Sequence, residues 1–233
     1  MKFEMEIFDA PSRRNVLRGM AAAGAMAPSV VRAAEPAPGR VPDPPTTLAP
    51  PEKMAKFRAA ASGLLAPEGP KAMADGSVLV GEMARGTLSR VMPNGEVKVV
   101  ANLLGSPNGC AVGPDNAAYV TNNGGGNYHR EGDLLVSDGV RARPAMGAIQ
   151  RVDLATGKFT TLYSVNDGLN GANDIAFDKW GSFWFTDPAG GNLHWGKIDG
   201  SQVVCVCSIA SANGIAFAPN GKTLYVVSSQ LGK

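Results

Sequence analysis

Four segments of the chain repeat the same alternation of polar and apolar positions. Each begins with a polar residue, called here the head, and continues through an apolar strand and a turn into a second apolar strand. The clearest copy runs from Asn173 to Asp187. The heads are Glu68, Asn108, Asn173 and Asn213, and the turn residues are Gly76, Asn116, Gly181 and Gly221. Every head precedes its turn residue by eight positions, which predicts repeats of one structural unit.

Hairpin patterns lie between the copies. Residues 87–100 and 148–162 each alternate apolar and polar positions on both sides of a turn that contains glycine. A copy and a hairpin together make four antiparallel strands in roughly 40 residues, which is the period of a propeller blade. The predicted fold class is therefore all-β, a β-propeller of four-stranded blades, with about four blades in residues 67–233.

The four heads form a candidate site. Equivalent positions of successive blades surround one axis, so we expect the heads to converge at one end of the central channel. One carboxylate and three amides offer oxygen ligands, which suit Ca, Mg or Mn and less obviously Zn. Asparagine before glycine or aspartate is also an ordinary turn residue, and that alternative stays open.

One interval between heads is longer than the others. Asn108 and Asn173 are 65 residues apart, against 40 for the two other intervals. The excess lies in the polar, glycine-containing segment 124–147, which we interpret as an inserted loop. It could be a lid over the channel mouth or a plain surface excursion.

Composition and charge exclude several functions. The chain has 29 glycines and 17 prolines, which is typical of many short strands joined by turns. Residues 1–33 hold five basic and three acidic residues, which leaves 17 of each in the rest. This balance predicts no nucleic-acid partner. The three cysteines, Cys110, Cys205 and Cys207, lack the spacing of a disulfide or zinc framework and are expected to be buried structural residues.

The first 33 residues are predicted to be a twin-arginine signal peptide. Residues 12–18 contain two adjacent arginines and then an apolar pair, an alanine-rich run follows, and residues 31–33 offer small-residue cleavage spacing. The run is too short to span a membrane stably. The expected location is the periplasm, reached through the twin-arginine export machinery, and the alternative is a basic amphipathic helix. Residues 34–66 are predicted to be a proline-rich linker with a short helix at 53–63.

The chain resembles the gluconolactonase, regucalcin (senescence marker protein) and luciferin-regenerating-enzyme family. The resemblance rests on three motifs, which begin at Glu68, Asn173 and Asn213. They read Glu-Gly-Pro, Asn-Asp followed by Phe-Trp-Phe-Thr-Asp, and Asn-Gly-Ile-Ala-Phe followed by Leu-Tyr. The resemblance implies a six-bladed propeller with one divalent cation at the channel mouth and hydrolysis of sugar lactones.

The resemblance also implies roles for the heads. The metal ligands would be Glu68, Asn173 and Asn213, and the residues that bind a small lactone-like substrate would be Asn173 and Asn108. The cation would polarise the lactone carbonyl and activate a water.

Two departures from the family leave other functions open. The family's acid/base aspartate lies beyond Lys233, so we interpret the chain as C-terminally truncated and its catalytic residue as unknown. A basic residue that some members carry two positions before Asn173 is Gly171 here. The alternatives are a non-catalytic propeller that serves as a binding or scaffold protein, and an inactive truncated fragment.

Overall fold

Short antiparallel strands carry the apolar alternation of the chain in the computed structural model, which describes residues 3–6, 58–140 and 147–229. Three sheets have four strands, one has three, and a separate hairpin has two. We call the first four sheets blades A to D in chain order. The predicted fold class, an all-β propeller of four-stranded blades, is confirmed.

The strands have the following bounds. Blade A contains β2 (Pro67–Ala72), β3 (Val78–Glu82), β4 (Thr87–Val91) and β5 (Val97–Asn102). Blade B contains β6 (Pro107–Val112), β7 (Ala118–Asn123), β10 (Gly147–Val152) and β11 (Phe159–Ser164), and the hairpin contains β8 (Gly126–Glu131) and β9 (Leu134–Val140). Blade C contains β12 (Ile175–Phe177), β13 (Phe183–Asp187), β14 (Asn192–Gly196) and β15 (Val203–Ser208). Blade D contains β16 (Ala212–Phe217), β17 (Thr223–Ser228) and β1 (Phe3–Glu6). A 3-10 turn, Val165–Asp167, follows β11.

The four turn residues share one backbone conformation. Their φ angles are +81° at Gly76, +59° at Asn116, +86° at Gly181 and +66° at Gly221. This left-handed region favours glycine and tolerates asparagine, which explains why only these two residue types stand there. The recurrence in the sequence therefore reflects one repeated hairpin geometry.

Apolar side chains between neighbouring blades hold the blades together. In β7, Tyr119 points into a core shared with Phe183 of blade C, and the next residue, Val120, points into a core shared with Leu79 of blade A. A third core joins Trp184 of blade C to blade D. Because alternate residues of a strand face opposite sides, β7 and β13 each contribute to two cores.

The first strand of each blade lies innermost. Strands β2, β6, β12 and β16 contact one another in chain order, and a cavity of about 380 Å³ runs along them. Cys110 lines it, and burial raises the pKa of this thiol to about 12. The thiol is therefore protonated at neutral pH. The prediction of buried cysteines is correct for Cys110 and wrong for Cys205, which is exposed on the outer strand β15.

The predicted insertion is the hairpin β8–β9, which lies between β7 and β10 of blade B. The predicted helix at 53–63 is not found in its described part, because residues 58–64 have no regular structure. Gly63 has a φ of +79°, and its carbonyl accepts a hydrogen bond from Arg85 of blade A at 2.8 Å. The remainder of that prediction lies outside the described residues.

The propeller belongs to a compact unit of Met1–Ile7 and Ala59–Lys233. A second unit, Phe8–Arg58, lies outside the described residues except at its last position. The pairing of β1 with β17 places part of the predicted signal peptide in blade D, and export stays a prediction. Among the described residues, no helix has the length and apolar character needed to cross a bilayer.

Candidate functional site

The four heads follow one another around the inner end of the blades. A Cβ added to Gly69 would collide with the carbonyl oxygen of Asn108, so the residue after the first head lies against the backbone of the second head. Gly109 donates its N–H to the carbonyl of Asn173 at 2.8 Å. Blade C reaches blade D through Asp174, whose Oδ2 accepts the N–H of Ile215 at 3.0 Å. The backbone thus brings together the heads that the sequence grouped.

Strand register confirms that the heads are equivalent. The pair nearest the turn is Ala72–Val78, Val112–Ala118, Phe177–Phe183 and Phe217–Leu224 in blades A to D. Each head lies four residues before the first member of its pair. The loop of blade D between Phe217 and Leu224 is one residue longer than the others, so equivalent positions in second strands are counted from the second member.

Three residues after that second member, two blades carry a buried threonine. Thr121 in blade B donates a short hydrogen bond to the carbonyl of Asn173, and its oxygen accepts the N–H of Gly109 at 2.8 Å. Thr186 in blade C donates to the carbonyl of Asn213 at 2.5 Å and accepts the N–H of Asp174 at 3.1 Å. Each hydroxyl therefore ties its own head segment to the next head.

The following position holds a polar side chain that fixes the loop before the head. We call these four residues the clamps. They are Glu82, Asn122, Asp187 and Ser228. Asp187 is fully buried and accepts the N–H groups of Asn170, Gly171 and Gly190 at 2.7, 3.0 and 2.9 Å.

The other clamps act on the corresponding loops. Glu82 accepts the N–H of Leu65 at 2.9 Å, Asn122 accepts the N–H of Ser106 at 2.9 Å, and Ser228 donates to the carbonyl of Ala210 at 2.6 Å. A buried carboxylate that binds several N–H groups holds a loop more firmly than a hydroxyl with one bond. The sequence did not single out the threonines or three of the clamps, Glu82, Asn122 and Ser228. Their recurrence at fixed positions after the turns was the available signal.

The head side chains differ in exposure and in their partners. Glu68 is exposed, and from the described residues its carboxylate accepts one long bond, from Gly69 N–H at 3.3 Å. Asn108 is 6% exposed, and its Nδ2 contacts the sulfur of Met83 at 3.7 Å, which is a weak acceptor. Asn173 is half-buried and Asn213 is exposed, and neither amide bonds to another group in the described part of the chain.

This donor set fits a hard divalent cation through its oxygens. In residues 58–140 and 147–229, no group of three His, Cys, Asp or Glu side chains could hold a metal. A cation at the heads would thus depend on amide oxygens as well as on Glu68, a combination that calcium accepts. The Asn173 and Asn213 amides, free of hydrogen bonds within the described ranges, keep their oxygens available.

Two carboxylates near the heads are committed to the backbone. Besides Ile215, Asp174 accepts the N–H of Ile175 at 2.8 Å, and burial raises the pKa of this carboxyl. Asp187 binds the three N–H groups given above. Both carboxylates therefore have a hydrogen-bonding role within the blades.

The inserted hairpin leaves β7 at the head end of blade B. Tyr128 Oη lies 3.5 Å from Ser106 Oγ, two residues before the head Asn108. His129 lies between Glu131 and Asp138, at 3.0 and 2.7 Å from their carboxylates, and both interactions raise its pKa. The hairpin is a surface element beside the channel mouth, and its closure as a lid stays a prediction.

Comparison with known proteins identifies the relatives of this arrangement. A family model described as the SMP-30/Gluconolactonase/LRE-like region matches residues 66–233. A gluconolactonase from Xanthomonas campestris aligns with a TM-score of 0.58 and 22% identity, over 75% of this chain and 57% of its own. No curated protein sequence matches significantly.

Two further solved structures share the fold. A putative gluconolactonase aligns with a TM-score of 0.55 and 19% identity, over 74% of this chain and 59% of its own. Regucalcin from Agrobacterium tumefaciens, a calcium-binding protein, aligns with a TM-score of 0.52 and 18% identity, over 74% of this chain and 53% of its own. The chain thus spans between 53% and 59% of the length of these three proteins.

Proposed function

The chain belongs to the SMP-30/gluconolactonase/LRE-like family. From that membership we propose that it serves as a divalent-cation-dependent hydrolase of lactone-type esters. The observation that carries the proposal is the row of heads, in which one carboxylate and three amides follow one another at the channel mouth and, among the described residues, the Asn173 and Asn213 amides have no hydrogen-bond partner. Similar folds belong to a gluconolactonase and to a calcium-binding regucalcin.

The residues proposed to hold the cation are Glu68, Asn173 and Asn213. Calcium, magnesium, manganese or zinc, when bound, would act as a Lewis acid toward an ester carbonyl. Glu68 supplies the negative charge of the set, and the two amides supply neutral oxygens that leave a net positive centre. Such a centre favours a carbonyl or carboxylate group of the ligand.

The residues proposed to contact the substrate are Asn173 and Asn108. An asparagine amide both donates and accepts hydrogen bonds, so the pair suits the hydroxyl groups of a small lactone. Gly171 contributes no side chain. A Cβ added to Gly171 would lie 3.1 Å from the Cβ of Ala189, so Ala189 borders the space before Asn173. We assign no general base, because Asp174 and Asp187 already bind backbone N–H groups.

The test is hydrolysis of sugar lactones by the purified protein, before and after exhaustive chelation and with calcium restored. We expect activity to vanish on chelation and to return with the cation. Glu68→Gln should raise the calcium requirement about tenfold or more, since affinity follows ligand charge. Glu96→Gln is the matched control, because Glu96 is exposed and pairs only with Lys98 at 3.4 Å. Hydrolysis that survives thorough chelation would overturn the proposal.

Export is a separate part of the proposal. We propose that residues 1–33 direct the protein to the periplasm through the twin-arginine route, because Arg13 and Arg14 precede an apolar pair and an alanine-rich run. Replacing both arginines by lysine should keep the protein in the cytoplasm with its leader attached. N-terminal sequencing of fractionated cells measures this, and equal periplasmic recovery of the variant would refute it.

A further inference from the structure

The two buried threonines of the second strands share an arrangement that joins one head to the next. Thr121 and Thr186 are both fully buried, and each oxygen accepts an N–H from its own head segment. Each hydroxyl proton is then directed across the blade boundary to the carbonyl of the following head. A hydroxyl has one proton to donate, so this bond determines its rotamer.

We propose that Thr121 and Thr186 are positioning residues, which set the orientation of Asn173 and Asn213 at the channel mouth. The carbonyl that each threonine holds belongs to the head residue itself, and fixing that peptide fixes the direction in which the head amide leaves the backbone. The inference extends the proposed function and rests on it only for the identity of the ligand.

The carbonyls of Asn173 and Asn213 differ in the donors that reach them across the blade boundary. The inference therefore predicts unequal effects at the two heads. The carbonyl of Asn173 has two donors, Thr121 and the N–H of Gly109. At the next joint the equivalent N–H is that of Asp174, which bonds to Thr186 Oγ1, and the donor that reaches the carbonyl of Asn213 across this joint is the Thr186 hydroxyl. Loss of the hydroxyl should therefore disturb Asn213 more than Asn173.

The equivalent positions of the other blades support a specific role for the hydroxyl. In blade A the position is Gly81, where an added Cβ would lie 2.6 Å from the carbonyl oxygen of Pro107, so blade B approaches too closely for a threonine. In blade D it is Val227, which has the shape of threonine without the hydroxyl and is 55% exposed. The hydroxyl thus precedes Asn173 and Asn213, the two asparagine heads proposed as metal ligands, and is absent before Asn108.

The experiment compares Thr186→Val, which keeps the shape and removes the hydroxyl, with Thr186→Ser, which keeps the hydroxyl. Thr160→Val on the exposed outer strand β11 is the matched control. The first readout is the NMR signal of the Asn213 side-chain amide in the cation-free protein. We expect the signal to shift in Thr186→Val, because the amide no longer has one fixed orientation. The signal should keep its position in Thr186→Ser and in the control.

The second readout is terbium luminescence, with Tb³⁺ as a probe for the cation. Thr186→Val should bind about tenfold more weakly, because the peptide of Asn213 is no longer held in one orientation, while Thr186→Ser should stay within about twofold. A smaller loss is expected for Thr121→Val, which also serves if Thr186→Val does not fold. If the wild type binds no terbium, the proposed function fails, and the amide signals still decide the positioning role. An unchanged Asn213 signal in folded Thr186→Val would overturn the inference.

Discussion

The glycines that follow the heads of blades B and D occupy equivalent positions but have different surroundings. A Cβ on Gly109 would lie 2.7 Å from the carbonyl oxygen of Asn173 and from the Cα of Asp174, whereas one on Gly214 would meet nothing closer than 4.0 Å. The same Asn-Gly pair therefore packs tightly against the next blade in blade B, which we call a closed joint, and has open space beside it in blade D. A motif reports the local backbone, and the neighbouring blade determines how much each residue stabilises.

The clamps of blades C and D show the same contrast. Asp187 is fully buried and binds three N–H groups of the loops on either side. Ser228 is half-buried and makes one hydrogen bond to the carbonyl of Ala210. Blade C holds its head loop with a buried charge, and blade D holds its own with one hydroxyl.

The largest expected effect is that of Asp187→Ala. The substitution leaves three N–H groups near the core without their acceptor, so we expect the free energy of unfolding to fall by about 3 to 5 kcal/mol. Ser228→Ala is the matched control and should cost about 1 kcal/mol or less. Urea denaturation followed by tryptophan fluorescence measures both. Equal losses at the two clamps would contradict the comparison between blades C and D.

The second effect is that of an added methyl group at the head glycines. Gly109→Ala forces the backbone of blade C to shift, so we expect a loss of about 2 to 3 kcal/mol. Gly214→Ala has room for the methyl group and should change stability by less than about 1 kcal/mol. Thermal unfolding of the two variants makes the test. A tolerated alanine at position 109 would show that the joint between blades B and C yields easily.

The sequence predicted the repeated hairpins because their cause is local. The spacing from Asn173 to Gly181 and its counterparts reflects a left-handed turn that glycine or asparagine must occupy. The insertion at 124–147 was found for the same reason, as an excess over a regular interval. The heads could be grouped from the sequence because equivalent positions of stacked repeats must be neighbours.

The contacts between blades could not be predicted in the same way. Thr121 bonds Asn173 across 52 residues, and nothing near Thr121 in the sequence indicates its partner. In the sequence, Asp187 stands at the end of an apolar strand. Its role depends on the loop that packs against it in the fold. The exposure of Cys205 was missed because the alternation of a strand does not reveal whether the strand lies at a blade's outer edge.

The third effect is a pH dependence that arises from a buried histidine of blade C. His194 is 4% exposed, stacks on Phe185 at 4.9 Å, and leaves its Nε2 unpaired 4.0 Å from Asp187. Burial lowers the pKa of His194, and Asp187 opposes this only partly. Below its ordinary pKa of 6.5, the unfolded chain binds a proton that the folded chain does not bind. Stability should therefore fall as the pH falls below 6.5.

His194→Phe is the variant that isolates this contribution. Phenylalanine keeps the stacking on Phe185 and cannot be protonated, so the free energy of unfolding between pH 7.5 and 5 should change less than in the wild type. His129→Gln in the exposed hairpin is the control with the opposite sign. Its two carboxylate partners raise the pKa of His129, so that interaction stabilises below pH 6.5 and is lost as the pH rises through the raised value. Identical pH profiles for wild type and His194→Phe would contradict the assignment.

The smallest effect is expected on the open side of blade D. Val227→Thr converts the position to the residue found in blades B and C, and Val227 is 55% exposed. Among the described residues no following head accepts its proton, so the new hydroxyl is solvated, and stability should change by less than about 0.5 kcal/mol. A gain above about 1 kcal/mol, or one that grows with protein concentration, would mean that another blade or a second copy covers this side in solution. The contrast between Gly109 and Gly214 would then reflect what the isolated chain leaves uncovered, and Gly214→Ala should become as costly as Gly109→Ala under the same conditions.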